Sequence, residues 1–186
     1  MNGLEQDKLI FVTGGCRSGK SEFAEQLALA SPDPVYYLAT GVVTDEEMQE
    51  RVRQHRERRP PHWQTLEEPL HLPQVAAQLK GRRGLLLVDN LSGWLTNLMY
   101  HENLHPWQWD RDKEQEALSH VQSFLQVLGE IDLHCIIVGD EVGWGLVPPT
   151  PEGRAFRDLN GKANQLVAAR AGAVYLVVSG IPVKIK

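Results

Sequence analysis

Cysteine is scarce in this 186-residue sequence: there are two, Cys16 and Cys135. Residues so far apart give neither a disulfide framework nor a paired-cysteine metal site, which suits a reducing compartment. Long hydrophobic runs are also missing. No apolar stretch approaches the ~18 residues that would suggest a membrane span. Nor is there an excess of positive charge: 19 Lys and Arg face 24 Asp and Glu, a net charge of −5. Such a balance is a poor basis for nucleic-acid or anionic-membrane binding. It leaves room for a nucleotide, because one local cluster of donors suffices. The polar, charged start Met1–Lys8 is not a signal peptide. There is no repeat, low-complexity tract or linker. With 42% hydrophobic residues, and domains commonly holding roughly 100–200 residues, the expectation is one cytoplasmic domain over residues 1–186.

What is present is an alternation. Short, continuously apolar segments read as buried strands at Leu9–Thr13, Val35–Thr40, Leu85–Asp89, Cys135–Val138 and Val174–Val178. Helical patterns lie between them: Ser21–Ala30, Thr44 to about Arg58, Pro73–Lys80, Ser92–Tyr100, Asp110–Leu128 and Arg154–Arg170. Thr44 and Glu47 have capping-box spacing. Gly143–Gly153, with three prolines, reads as loop. The five tryptophans, Trp63, Trp94, Trp107, Trp109 and Trp144, read as core and loop anchors. Continuously apolar strands alternating with helices predict an α/β fold with a mostly parallel sheet covered on both faces.

Gly14-Gly15-Cys16-Arg17-Ser18-Gly19-Lys20-Ser21 matches the phosphate-loop pattern G-x-x-x-x-G-K-[ST], between a predicted strand and a predicted helix. Glycines let backbone N–H groups wrap a phosphate, and the helix N-terminus adds partial positive charge. Lys20 should reach the terminal phosphates, and the Ser21 hydroxyl should bind Mg²⁺. Asp89 ends a strand, where such proteins keep an acid that supports Mg²⁺ directly or through water; an ordinary helix cap would also explain it. Asp140 and Glu141 end the next strand, so spacing alone leaves the choice of acid open. Cys16 places a thiol in the loop itself, a site open to oxidation.

Residues 51–59 hold five arginines in an acidic protein. On a helix, Met48, Val52 and His55 share one face, so His55 would point toward the protein body with guanidinium groups around it. That suits a site handling phosphates. A core histidine on a solvated Arg/Glu helix is the simpler alternative. His62, His71, His101, His105, His120 and His134 have weaker claims.

Together these motifs resemble, from Leu9 to Lys186, the bifunctional adenosylcobinamide kinase / adenosylcobinamide-phosphate guanylyltransferase family. The resemblance rests on the phosphate loop, Tyr37-Leu38-Ala39-Thr40, His55-Arg56-x-x-Arg59-Pro60 with Trp63, and Val88-Asp89-Asn90-Leu91 with Trp94-Leu95-Thr96-Asn97-Leu98. It continues through Glu141-Val142-Gly143-x-Gly145-x-Val147-Pro148, Phe156-Arg157-Asp158, Asn164-Gln165 and Val178-Ser179-Gly180-Ile181-Pro182-Val183-Lys184.

The resemblance implies a phosphate-loop NTPase fold of RecA-like type and a homotrimer. It implies phosphorylation of adenosylcobinamide by ATP or GTP, then transfer of GMP from GTP to that phosphate through a GMP-histidine intermediate at His55. Nucleotide contacts carried over by position are Gly14, Gly15, Cys16, Arg17, Ser18, Gly19, Lys20, Ser21, Ala39, Thr40, Gly41, Arg56, Glu57, Arg58, Arg59, Glu67 and Asp89. A nucleophilic imidazole must be neutral, so activity should fall at acid pH. Asp140 stands where many members of the family have Asn, and Gly41 where others have Ser. The corrinoid would lie on an apolar surface near His55 or the Gly143–Pro149 loop. Two rival readings are a plain small-molecule kinase with a structural His55, and a nucleotide-binding switch acting on a partner protein.

Overall fold

The computed structural model describes residues 7–42, 46, 49, 50, 53, 56, 57, 59–101 and 108–186. The elements in chain order are β1 (Leu9–Gly14), α1 (Lys20–Leu29), β2 (Val35–Ala39), β3 (Gln64–Glu67), α2 (Leu72–Gln78), β4 (Gly84–Asp89), α3 (Leu91–Tyr100), α4 (Arg111–Glu130), β5 (Leu133–Asp140), α5 (Pro151–Arg170), β6 (Ala173–Val178) and β7 (Ile181–Lys184). One seven-stranded sheet runs in the order β3-β2-β4-β5-β1-β6-β7. Every pairing is parallel except β6 with β7.

Strand side chains alternate between the two faces. Phe11, Leu38, Leu86, Val88, Ile137 and Val174 join the helical residues Leu72, Trp94, Val121, Phe124, Leu159 and Val167 in one buried cluster. Ile10, Val12, Tyr37, Leu87, Ile136 and Val138 point the other way, onto Ala24 and Ala28 of α1 and onto Trp63. Strands buried on both sides must be apolar throughout, which is why continuous apolar runs revealed them. Each fully buried Leu or Ile contributes about 1.5–3 kcal/mol.

Local chemistry sets the boundaries. Asp110 caps α4, its Oδ1 accepting from the N–H groups of Asp112 and Lys113, both at 3.0 Å. Thr150 caps α5 by accepting from Gly153 N at 3.1 Å. Pro151 fits the first turn of α5, where its missing N–H costs nothing. The segment read as loop to Gly153 therefore already contains the start of this helix. Gly84 opens β4 at φ 143°, and a Cβ there would lie 2.3 Å from Pro34 O.

Two strands escaped the sequence reading. The four residues of β3 form the edge beside β2, and most of its side chains are exposed. On the opposite edge β7 is short, exposed and carries Pro182. Its turn was readable: Ser179 and Gly180 both have positive φ, 51° and 80°, the two-residue hairpin geometry. The Thr44–Arg58 helix reaches partly beyond the described residues, as do Thr44 and Glu47 of its capping box; Glu46, Gln49, Glu50, Arg53, Arg56 and Glu57 are helical. Trp63 and Trp94 are core residues, whereas Trp144 is 76% exposed. Trp107 lies outside the described residues.

Candidate nucleotide site

The site lies at the C-terminal ends of the parallel strands, where β1 is flanked by β5 and β6. The phosphate loop is the turn from β1 into α1. A Cβ on Gly14 would come within 2.5 Å of Val177 O and 2.6 Å of Ser18 Oγ, so only glycine fits. Arg17 and Gly19 have positive φ, 55° and 91°. The loop closes on itself through Ser18 N to Gly15 O, 3.2 Å, and Gly180 N of the β6–β7 turn donates to Ser18 O at 2.7 Å. Among the described residues no side chain caps Gly19 at the start of α1. The first N–H groups of this ten-residue helix thus face the loop, an arrangement suited to a phosphate.

Lys20 is buried, and its ammonium donates to Gly15 O at 3.2 Å and pairs with Asp140 Oδ1 at 2.6 Å. Beside it, Ser21 Oγ donates to Asp89 Oδ1 at 3.4 Å. Spacing could not choose between the acids; the fold gives them different neighbours. Asp89 ends β4 and faces the Ser21 hydroxyl, whereas Asp140 ends β5, the strand between β4 and β1, and faces Lys20. The helix cap is Asn90, whose Oδ1 accepts from Gly93 N at 2.8 Å, so Asp89 does not cap α3. Asn90 also donates from Nδ2 to Asp140 Oδ2 at 2.9 Å, linking the acids. The Asp89–Asn90 peptide is cis. Glu141 turns away, its carboxylate accepting from Gly143 N at 2.6 Å. Ser21 and Asp89 supply two hard oxygen donors of the kind Mg²⁺ takes.

Tyr37, read from the sequence as a strand residue and as part of the Tyr37-Leu38-Ala39-Thr40 motif but given no role, belongs to the site. Its hydroxyl donates to Asp89 Oδ2 at 2.6 Å. Burial, then the charge of Asp89, pushes its pKa well above the usual tyrosine value, so it remains a donor. The Arg59 guanidinium lies 3.3 Å from the centre of its ring, and Trp63 stacks beside it at 6.4 Å. Such a cation over an aromatic face is held electrostatically. The C-terminal end of the arginine segment is thereby joined to Asp89.

The other candidates divide. Ala39 ends β2, and buried Thr40 donates to Asn90 O at 2.7 Å and accepts from Asn90 N at 2.9 Å. Gly41 is exposed. Arg56 and Glu67 form an exposed ion pair with each other. Arg53 is exposed and pairs with Glu50 at 2.6 Å and with Glu57, as a solvated helix face would. Cys16 is an exposed thiol. His55 and Arg58 lie outside the described residues.

Sequence reasoning missed the scaffold behind Asp140. Ser92 Oγ accepts from Asp140 N at 2.9 Å and donates to Asn160 Oδ1 at 2.8 Å. Asn160 and Asn164 donate to Asp140 O at 2.8 and 3.0 Å. The signal was two asparagines one turn apart, beside the buried Leu159, Ala163 and Val167 of the same helix.

The family model described as "Cobinamide kinase / cobinamide phosphate guanyltransferase" matches residues 10–185. The bifunctional adenosylcobalamin biosynthesis protein CobU of Escherichia coli is 39% identical over 181 residues, covering 96% of this chain and 99% of that protein. The Salmonella typhimurium protein of the same name is 39% identical over 182 residues, with the same coverage. The Pseudomonas aeruginosa protein CobP is 39% identical over 175 residues, 94% of this chain and 95% of that one. Among solved structures, an ATPase from a bacterial type III secretion system superposes with a TM-score of 0.56 at 11% identity, covering 95% of this chain and 56% of that one. The RadB recombinase superposes at 0.50 with 17% identity, covering 90% and 73%. These last two likenesses concern the fold: a phosphate-loop ATPase sheet of RecA-like type.

Proposed function

Since the chain belongs to the cobinamide kinase / cobinamide phosphate guanyltransferase family, we propose that one nucleotide site serves both of its reactions in turn, and that His55 carries GMP between them. The observation that supports this is the line of contacts from Arg59, four residues past His55, over the Tyr37 ring to Asp89 and on to Ser21. It joins the arginine segment to the phosphate loop, so both halves of the chemistry converge on one bound triphosphate.

In the kinase step the loop N–H groups and Lys20 hold the phosphates of ATP or GTP. Lys20 exchanges Asp140 for the terminal phosphate and offsets the charge that grows on the leaving group. Ser21 and Asp89 would hold Mg²⁺, directly or through water, which neutralises charge between the phosphates. In the second step neutral His55 attacks the α-phosphorus of GTP. A P–N bond forms and pyrophosphate leaves. The phosphate of adenosylcobinamide phosphate then attacks the same phosphorus, giving adenosylcobinamide-GDP and free imidazole. Splitting one displacement into two is covalent catalysis. Arg56, Arg58 and Arg59 are assigned to the phosphates, with Cys16, Thr40, Gly41, Glu57 and Glu67 completing the nucleotide contacts. The same reading takes residues 1–186 as one nucleotide-binding unit acting in the cytoplasm as a homotrimer, which the family likeness and two unpaired cysteines support.

Product analysis tests it. His55→Ala supplied with adenosylcobinamide and GTP should stop at adenosylcobinamide phosphate, and Lys20→Ala should form neither product. Adenosylcobinamide-GDP from His55→Ala would remove His55 from the pathway.

A further inference from the structure

The strand that ends at Asp140 runs directly into a segment with no charged residue from Val142 to Thr150. Within it Trp144 is 76% exposed, Leu146 96% and Val147 65%. A cluster of three large apolar side chains held in water is unusual unless something covers it. The segment is tied down at both ends. Glu141 N donates to Gly14 O at 2.9 Å, and the Glu141 carboxylate accepts from Gly143 N. At the far end Arg154 Nη1 donates to the carbonyls of Pro148 and Pro149 at 3.0 and 2.8 Å. The apolar tip is therefore presented on a fixed base.

We propose that this tip, Trp144, Leu146 and Val147, is the platform on which the corrin macrocycle of the acceptor docks. The inference rests on the bifunctional reading above. Position argues for this occupant. Trip-length geometry is restrictive: Trp144 is four residues past Asp140, so their Cα atoms lie within about 14 Å at full extension. Asp140 in turn touches the lysine that marks the terminal phosphate. The acceptor hydroxyl must reach that phosphate, so the acceptor's body stands beside the mouth of the phosphate loop. A corrinoid is a broad macrocycle with apolar faces, and an uncharged aromatic-aliphatic tip complements it.

The test is steady-state kinase kinetics with adenosylcobinamide varied, for the wild type, Trp144→Ala, Leu146→Ala and Trp144→Phe, with GTP dissociation constants and molecular mass by light scattering measured alongside. Trp144→Ala should raise the KM for adenosylcobinamide by roughly tenfold or more, as for a truncated aromatic anchor. Leu146→Ala should raise it several-fold, and Trp144→Phe should restore most of the loss. GTP affinity and mass should not move. These side chains are exposed, so the variants should fold. An unchanged corrinoid KM in Trp144→Ala, or a change of mass that accounts for the kinetic loss, overturns the platform; the second outcome makes the tip a subunit contact. A wild type that does not phosphorylate adenosylcobinamide at all would instead overturn the functional reading beneath it.

Discussion

Removing one oxygen atom tests whether Tyr37 holds Asp89 in place. Tyr37→Phe keeps the ring under Arg59 and beside Trp63 and deletes only the hydroxyl that donates to Asp89 Oδ2 at 2.6 Å. A hydrogen bond to a charged group contributes about 1.5–3 kcal/mol. Asp89 is half-buried, so water can replace part of the bond, and the lower end applies: about 1.5–2 kcal/mol. In a protein of this size each kcal/mol shifts the melting temperature by about 2–4 °C. The variant should therefore melt roughly 3–8 °C lower. Binding of Mn²⁺ in place of Mg²⁺ with a non-hydrolysable GTP analogue, followed by electron paramagnetic resonance, should weaken by a similar free energy, roughly ten- to thirtyfold. GTP affinity without metal should change little. Tyr37 ionises only well above the ordinary tyrosine range, so its contribution is complete below pH ~10, the unfolded tyrosine value. It is lost as pH rises through the higher folded value. If Tyr37→Phe melts like the wild type and binds Mn²⁺ equally well, the assignment of Tyr37 as the group that positions Asp89 is wrong.

Asp140→Asn removes the carboxylate that competes with phosphate for Lys20, so metal-free GTP should bind several-fold more tightly by calorimetry; weaker binding would show that Asp140 orders Lys20 for the nucleotide. Ser92→Ala leaves the Asp140 N–H and Asn160 short of a buried partner and should cost about 1–3 kcal/mol in denaturant unfolding; no loss would mean that this network does not hold Asp140. Maleimide should label Cys16 quickly and Cys135 only after unfolding, because Cys16 is exposed whereas burial pushes the Cys135 thiol up to about 12. GTP should protect Cys16, and labelling unaffected by GTP would take Cys16 away from the nucleotide.

Local signals were the legible ones. The strands β1, β2, β4, β5 and β6 are apolar throughout because both faces are covered, and the phosphate loop is a contiguous turn whose residue types follow from its geometry. Edge strands β3 and β7 bury too little to write a pattern. Asp89 and Asp140 were visible as strand-end acids, but their division of labour depends on β5 lying between β4 and β1, a property of strand order that spacing does not carry. Tyr37 was hidden for a related reason. Its ring is a core residue, and only the fold shows that its hydroxyl reaches an acid 52 positions away. The polar scaffold of Ser92, Asn160 and Asn164 likewise forms between helices far apart in sequence.

The central claim is that this chain carries GMP on His55. Incubation with GTP radioactive at the α-phosphate, with Mg²⁺ and without corrinoid, followed by a denaturing gel, tests it directly. Acid-labile, alkali-stable label on the wild type and none on His55→Ala is the predicted result. A wild type that binds GTP yet takes up no label would contradict the account and leave a plain kinase.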